Sequence, residues 1–193
     1  MMFGKLELSR VYGIDEATVT DDTVFLTPKV ASLYAWWRQL AVDRLPLRRE
    51  FDVLDHWHLI RELFLVEALA DGQFLMALEG ERVIQLFGVN NSGQLISEAT
   101  GLGNFGHAIH DYYTGLVRDR VCRRCVGNLE RVNNRGWIEF ESIDCPLSRD
   151  GDRVDFIIGV IDVVDQSAIP DPAKINSKEV TRREGGTWLG KTG

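Results

Sequence analysis

The first sustained periodicity in the chain follows Thr27-Pro28. Val30, Leu33, Tyr34, Trp37 and Leu40 recur at steps of three and four, one apolar face of a helix over 29–43. Thr27 is a good N-cap, and Pro28 is tolerated at the first helical position, where its missing N–H costs nothing. Leu45-Pro46 ends the helix, because a residue before proline is pushed out of the helical region. Residues 46–60 carry no clean period and predict a loop with a short helical turn. Leu63-Phe64-Leu65-Val66 is an apolar run, Asp71-Gly72 a turn signal, and Phe74, Met76 and Leu78 alternate. Two strands joined at Asp71-Gly72 are the expected result. Val83, Ile84 and Phe87 share a face of a short helix over 80–88, stopped by Gly88. Turn residues then dominate until Phe105. From there Ala108, Ile109, Tyr112, Leu116 and Val117 restore helical spacing over 105–119. Three strand-like segments follow at 121–130, 136–145 and 153–164, broken at Asn133-Asn134 and Asp150-Gly151. The last is almost wholly apolar, so it is expected at the centre of a sheet.

This order predicts an α+β fold with a five-stranded antiparallel sheet. Inserted helices cover one face and an N-terminal helix precedes it. Residues 1–27 read as an N-terminal arm packed on a domain spanning 28–165. The segment 166–193 reads as a flexible C-terminal tail, too polar to offset its ordering entropy, with Trp188-Leu189 as its one apolar spot.

Composition narrows the function. The chain has 193 residues, 45 % of them hydrophobic, enough to bury a core without staples. Its net charge of −7 argues against a nucleic-acid partner, since phosphate binding needs a basic surface. No apolar run approaches the ~20 residues of a membrane span. The N-terminus has no secretory h-region, so a cytoplasmic location without membrane contact is expected. Three cysteines make an odd set, expected to be reduced thiols.

Several short motifs carry a resemblance. Leu33-Tyr34-Ala35-Trp36-Trp37-Arg38 is followed by Leu45-Pro46-Leu47-Arg48 and Phe51-Asp52. Leu78-Glu79-Gly80 precedes Phe87-Gly88, and Cys145-Pro146-Leu147-Ser148 precedes Gly159-Val160. In this order, over 29–165, they resemble a bacterial PAS subfamily with a Tyr-Trp helix and a Leu-Pro-x-Arg segment. The chain departs from that pattern at Val53, where the subfamily has proline. It departs again at Gly88-Val89-Asn90-Asn91-Ser92-Gly93, which replaces a Gly-x-x-Leu-Thr-Gly entry to the loop. The resemblance implies a sensory or adaptor module that binds a small molecule between sheet and helices, or pairs with another copy. Arm and tail are each too short for an output domain, so signalling would pass to another protein or through a homodimer.

A ligand between the sheet and the inserted helices would meet Leu65, Met76, Leu78, Ile84, Phe87, Phe105, Ile109, Tyr112, Phe140, Ile158 and Val160. Each would equally serve as plain core. Trp36 and Trp37 project about 100° apart on a helix. Trp37 belongs to the apolar stripe, and Trp36 flanks it as a candidate anchor for a partner or dimer surface.

Cys122 and Cys125, with His107 and His110 upstream, have the residue types of a zinc site. Strand positions three apart face opposite ways, so two structural thiols are the better expectation. His107 or His110 could instead ligate a haem. The Gly-x-Asn-Cys-Arg motif of flavin photosensors is absent. No cofactor is the default expectation. His56 and His58 flank Trp57 on what could be a shared face, with Trp57 capping the core as the simpler account. Arg118, Arg120, Arg123 and Arg124 form a basic cluster, expected to pair with the many carboxylates. Glu139 and Glu141 read as solvated. No nucleophile set, P-loop or dinucleotide fingerprint is present. A ligand-free structural dimer is one alternative function. An enzyme on a cone-shaped α+β fold is another, and it would need a buried ionisable group with a raised pKa, for which Asp144 and Asp162 are the candidates.

Overall fold

The computed structural model describes residues 8–98 and 102–164. The polar tail expected at 166–193 therefore lies outside the described residues. The strands are β1 (Asp15–Thr18), β2 (Leu63–Ala68), β3 (Phe74–Glu79), β4 (Arg123–Leu129), β5 (Arg135–Leu147) and β6 (Phe156–Val163). They form one antiparallel sheet in the order β1-β4-β5-β6-β2-β3. The helices are α1 (Pro28–Leu40), α2 (Glu81–Phe87), α3 (Asn104–Asp119) and a single turn, α4 (Glu130–Asn133).

The sheet has six strands where the sequence predicts five. The additional one is β1, whose Ala17 stands opposite Arg124 of β4. Its four residues, Asp-Glu-Ala-Thr, are mostly exposed and carry no apolar alternation, so the pattern gave nothing to read. β6 lies between β5 and β2, the central place its apolar sequence implies.

Both faces of the sheet are buried. Against one pack α2, α3 and the Leu8–Tyr12 turn, with Val83, Leu86, Ala108, Tyr112 and Leu116 inward. Against the other packs α1, through Val30 and Leu33. Strand alternation divides the side chains. Ile138 and Phe140 of β5 belong to the α3 side, while Ile143, Cys145 and Leu147 belong to the α1 side. In β6, Ile157 and Ile161 face α3, and Ile158 and Val160 face α1. The short helix α2 turns Val83 and Leu86 inward, with Ile84 and Phe87 only half-buried.

Two turns need a left-handed backbone and have the residue for it: Asn134 at φ 62° and Gly151 at φ 104°. Gly159 is required for space. A Cβ built there would lie 2.1 Å from the ring of Phe64, its partner in register on β2.

α1 ends at Leu40, three residues before the expected limit. Thr27 occupies the N-cap, but its side chain makes no capping bond. Glu141, fully buried on β5, instead fastens the residues that lead into the helix. Its carboxylate accepts from the backbone N–H of Leu26 at 2.9 Å and of Thr27 at 2.7 Å, and from Arg124 Nε at 2.5 Å. The expectation of a solvated Glu141 fails for that reason. Trp37 Nε1 donates to the Pro146 carbonyl at 2.8 Å, and Lys29 Nζ sits 2.7 Å from the buried Glu62. Among the described residues no helix is long and apolar enough to cross a membrane.

Candidate functional site

The α3 side of the core is incompletely filled. A cavity of about 80 Å³ lies between the sheet and α2–α3. That exceeds the roughly 10–15 Å³ one water needs. β2 and β3 supply Phe64, Met76 and Glu79. The central strands supply Cys125, Phe140, Ser142, Asp144 and Ile161. The helices supply Val83, Phe87, Phe105, Ile109, Tyr112 and Tyr113. Leu8, Ile14, Ile96 and Leu102 complete the wall.

Met76, Phe87, Phe105, Ile109, Tyr112 and Phe140 stand where the sequence places a ligand. Leu65, Ile158 and Val160 do not, because they point to the α1 side, one residue out of phase with the cavity. An all-apolar strand buried on both faces conceals its parity, so Ile158 and Ile161 look equivalent in sequence. Leu78 is 46 % exposed. Ile84 is half-buried but absent from the wall, which Val83 and Phe87 form instead. The cause at Leu78 is a bulge. Leu65 pairs with Leu78 but Val66 pairs with Met76, leaving Ala77 unmatched. The extra residue reverses the alternation beyond it and turns Glu79 into the cavity.

The polar end of the cavity is Asp144, 3 % exposed. Tyr112 Oη donates to its Oδ2 at 2.8 Å, and Tyr113 Oη to its Oδ1 at 3.4 Å. Burial pushes the carboxyl up to about 7, against the pull of both tyrosine hydrogen bonds. The Glu16 carboxylate raises it further, and the Arg123 guanidinium lowers it. Arg123, opposite Asp144 in register, is held elsewhere. Its Nη1 is 2.6 Å from Glu16 and its Nη2 2.5 Å from Asp119, with the guanidinium 5.6 Å from the Tyr112 ring centre. Burial raises both tyrosines and the Cys125 thiol. At the other end, burial raises Glu79, while the Asn91 backbone N–H donates to its Oε2 at 2.6 Å and opposes that shift.

Asp162 is also raised by burial, but it faces α1, where Lys29 is 3.6 Å away. Of the two acids singled out in the sequence, only Asp144 lines the cavity.

The candidate metal set is not assembled. Cys122 belongs to the α1 side and Cys125 to the α3 side. Cys122 shares a hydrogen bond with Cys145, its neighbour across the strands. His107 is exposed, and His110 Nε2 lies 3.1 Å from the Gly72 carbonyl. Neither histidine lines the cavity, so neither fits as a haem ligand there. Among the described residues no group of three or more His, Cys, Asp or Glu could hold a metal ion. His56 stacks on Phe51 at 4.8 Å and His58 pairs with Ser32 at 3.0 Å, so the two rings serve separate contacts. Trp57 is 72 % exposed and caps no core. The arginine cluster divides: Arg118 pairs with Asp119, Arg123 with Glu16 and Asp119, and Arg124 with Glu141. Trp36 and Trp37 are half-buried. Trp36 packs edge-on against Phe51 at 5.0 Å, so it is not the exposed anchor the helix spacing suggests.

A family model described as PAS domain matches residues 26–162. No curated protein matches the chain. Among solved structures it is similar to the PAS domain of Bordetella pertussis BvgS, at 18 % identity and a TM-score of 0.43, covering 70 % of this chain and 100 % of that one. It is also similar to an RNA-binding Light-Oxygen-Voltage receptor, at 13 % identity and a TM-score of 0.42, covering 90 % of this chain and 45 % of that one.

Proposed function

The chain belongs to the PAS domain family, and from that premise we propose that it is a sensory domain whose signal is a small, largely apolar molecule held in the cavity between the sheet and α2–α3. The observation that carries this is a buried polar group at the end of an apolar cavity. Asp144, flanked by Tyr112 and Tyr113, gives an otherwise greasy space one place to orient a ligand.

β5 supports the transmission step. It carries Asp144 toward the cavity, and Glu141 and Pro146 hold α1 on the opposite face. A ligand that moves Asp144 strains the strand on which α1 is fastened. In this reading α1 passes the change to another signalling protein or to a second copy of the chain. We read the domain as non-enzymatic. The raised pKa of Asp144 meets the condition set for an enzyme, and Glu79 is raised beside it, but burial keeps the neighbouring Cys125 thiol protonated, so these acids have no thiolate nucleophile next to them.

Native mass spectrometry of gently purified protein tests the cavity. We expect a bound mass above that of the bare chain, lost in Ile109→Trp, whose larger side chain fills the space. A bare chain in the wild type, together with unchanged amide shifts on titration with small apolar molecules, would overturn the reading.

A further inference from the structure

Resting on that reading of the cavity, we propose that its ligand is a small primary amine with an apolar body, bound with its ammonium group at Asp144. Charge is the first observation. Among the described residues, the charged side chains lining the cavity are Asp144 and Glu79, both acids, and no Lys or Arg joins them. The nearest cation, Arg123, is spent on Glu16 and Asp119. An anionic ligand would enter a space with two carboxyl groups and no counter-charge, and both desolvation and like-charge repulsion would oppose it.

Hydrogen-bond capacity is the second. Ionised Asp144 accepts one bond at each oxygen, from Tyr112 and Tyr113. A carboxylate has about four acceptor sites, so each oxygen keeps room for a further donor. An ammonium brings three donors and no acceptor, which matches a group that can only accept. A carbonyl or ether is less well matched there, because both tyrosine hydroxyls are committed to Asp144 and the Ser142 hydroxyl is engaged with the Cys125 thiol.

The third observation is the wall. Phe64, Phe87, Phe105, Tyr112, Tyr113 and Phe140 supply six rings around one small cavity. Aromatic faces attract cations, and the attraction grows when water is excluded. The same rings accommodate an apolar body. The ammonium therefore meets an acid with no cation on it, among aromatic rings, and hydrocarbon along the rest.

Calorimetric titration at about pH 8, where Asp144 is mostly ionised, tests the inference with three isosteric probes: phenethylamine, 2-phenylethanol and phenylacetate. We expect phenethylamine to bind at least roughly tenfold more tightly than phenylacetate. Asp144→Asn should weaken phenethylamine by roughly tenfold or more while moving 2-phenylethanol by less than about twofold. Asn keeps the shape and an acceptor for one tyrosine, so the fold survives. Glu79→Gln is the second variant, expected to weaken the amine by a smaller factor in the same direction. Phenylacetate binding as tightly as phenethylamine would overturn the inference, as would amine binding that neither variant changes. Binding of 2-phenylethanol equal to the amine and indifferent to Asp144 would sink the amine inference and leave the cavity reading standing. Silence from all three probes sinks the amine inference too, and a missing native bound mass would then take the cavity reading with it.

Discussion

The hydroxyl of Tyr112 donates to Asp144 Oδ2 across 2.8 Å, joining the middle of α3 to the C-terminal part of β5 inside the core. Tyr113, the next residue, reaches the other oxygen at 3.4 Å. Successive helical side chains diverge by about 100°. That two of them meet one carboxyl group places Asp144 under the helix, between their rings. The two bonds are what make a buried acid tolerable there.

Tyr112→Phe removes the shorter bond and leaves the ring. Asp144 then loses a stabiliser of its charged form, and its pKa rises above about 7. The cost in stability is about 1–3 kcal/mol. A carbon-detected NMR titration of the carboxyl group and urea unfolding read the two effects.

Stability should fall as pH rises between about 4 and 7. The folded state holds the Asp144 proton up to about 7, while an unfolded aspartate releases it near 3.9. The stabilisation is complete below the unfolded value and gone above the folded one. It amounts to at most on the order of 4 kcal/mol. Glu79 and Asp162 are raised too and slope the same way. Urea unfolding across this range, in the wild type and in Asp144→Asn, isolates the contribution. Equal slopes in both proteins would show that Asp144 does not titrate as described.

Gly159→Ala should destabilise the sheet by about 1–3 kcal/mol, because its Cβ meets the Phe64 ring at 2.1 Å. Pairing it with Phe64→Leu should recover part of the loss. Thermal unfolding of the two single variants and the double variant shows whether the effects couple.

Glu141→Ala leaves the Leu26 and Thr27 N–H groups and Arg124 without their acceptor. The expected loss is about 3–5 kcal/mol. Glu141→Gln keeps an acceptor and should cost less. Hydrogen exchange at the start of α1 should accelerate in both, more in the alanine variant.

Much of this was legible in the chain. α1 and α3 follow from helical periodicity, and the five longer strands from apolar runs or alternation bounded by turn residues. β1 was hidden: four polar residues on an edge bury too little to leave a pattern. The cavity wall was half legible. Tyr112, Ile109 and Phe105 sit on a helix whose stripe fixes their direction, whereas Leu65, Ile158 and Val160 lie in runs where every position is apolar and the inward face cannot be told apart. Asp144 was singled out, with Asp162, as an acid in a largely apolar strand, and of the two it is the one that lines the cavity. Glu79 could not be found, since its inward turn depends on a bulge that no residue type marks. Strand parity already set Cys122 and Cys125 on opposite faces, and the Cys122 thiol meets Cys145 instead.

The bulge at Ala77 has a consequence for how relatives of this chain would diverge. If β3 kept that residue but ran straight past it, simple alternation would turn Leu78 inward and Glu79 outward. One acid would leave the ligand space and a hydrocarbon group would enter it, with no side chain replaced. Among related domains, a β3 that runs straight with its length unchanged would then mark a change of diet that a comparison of residue identities would pass over.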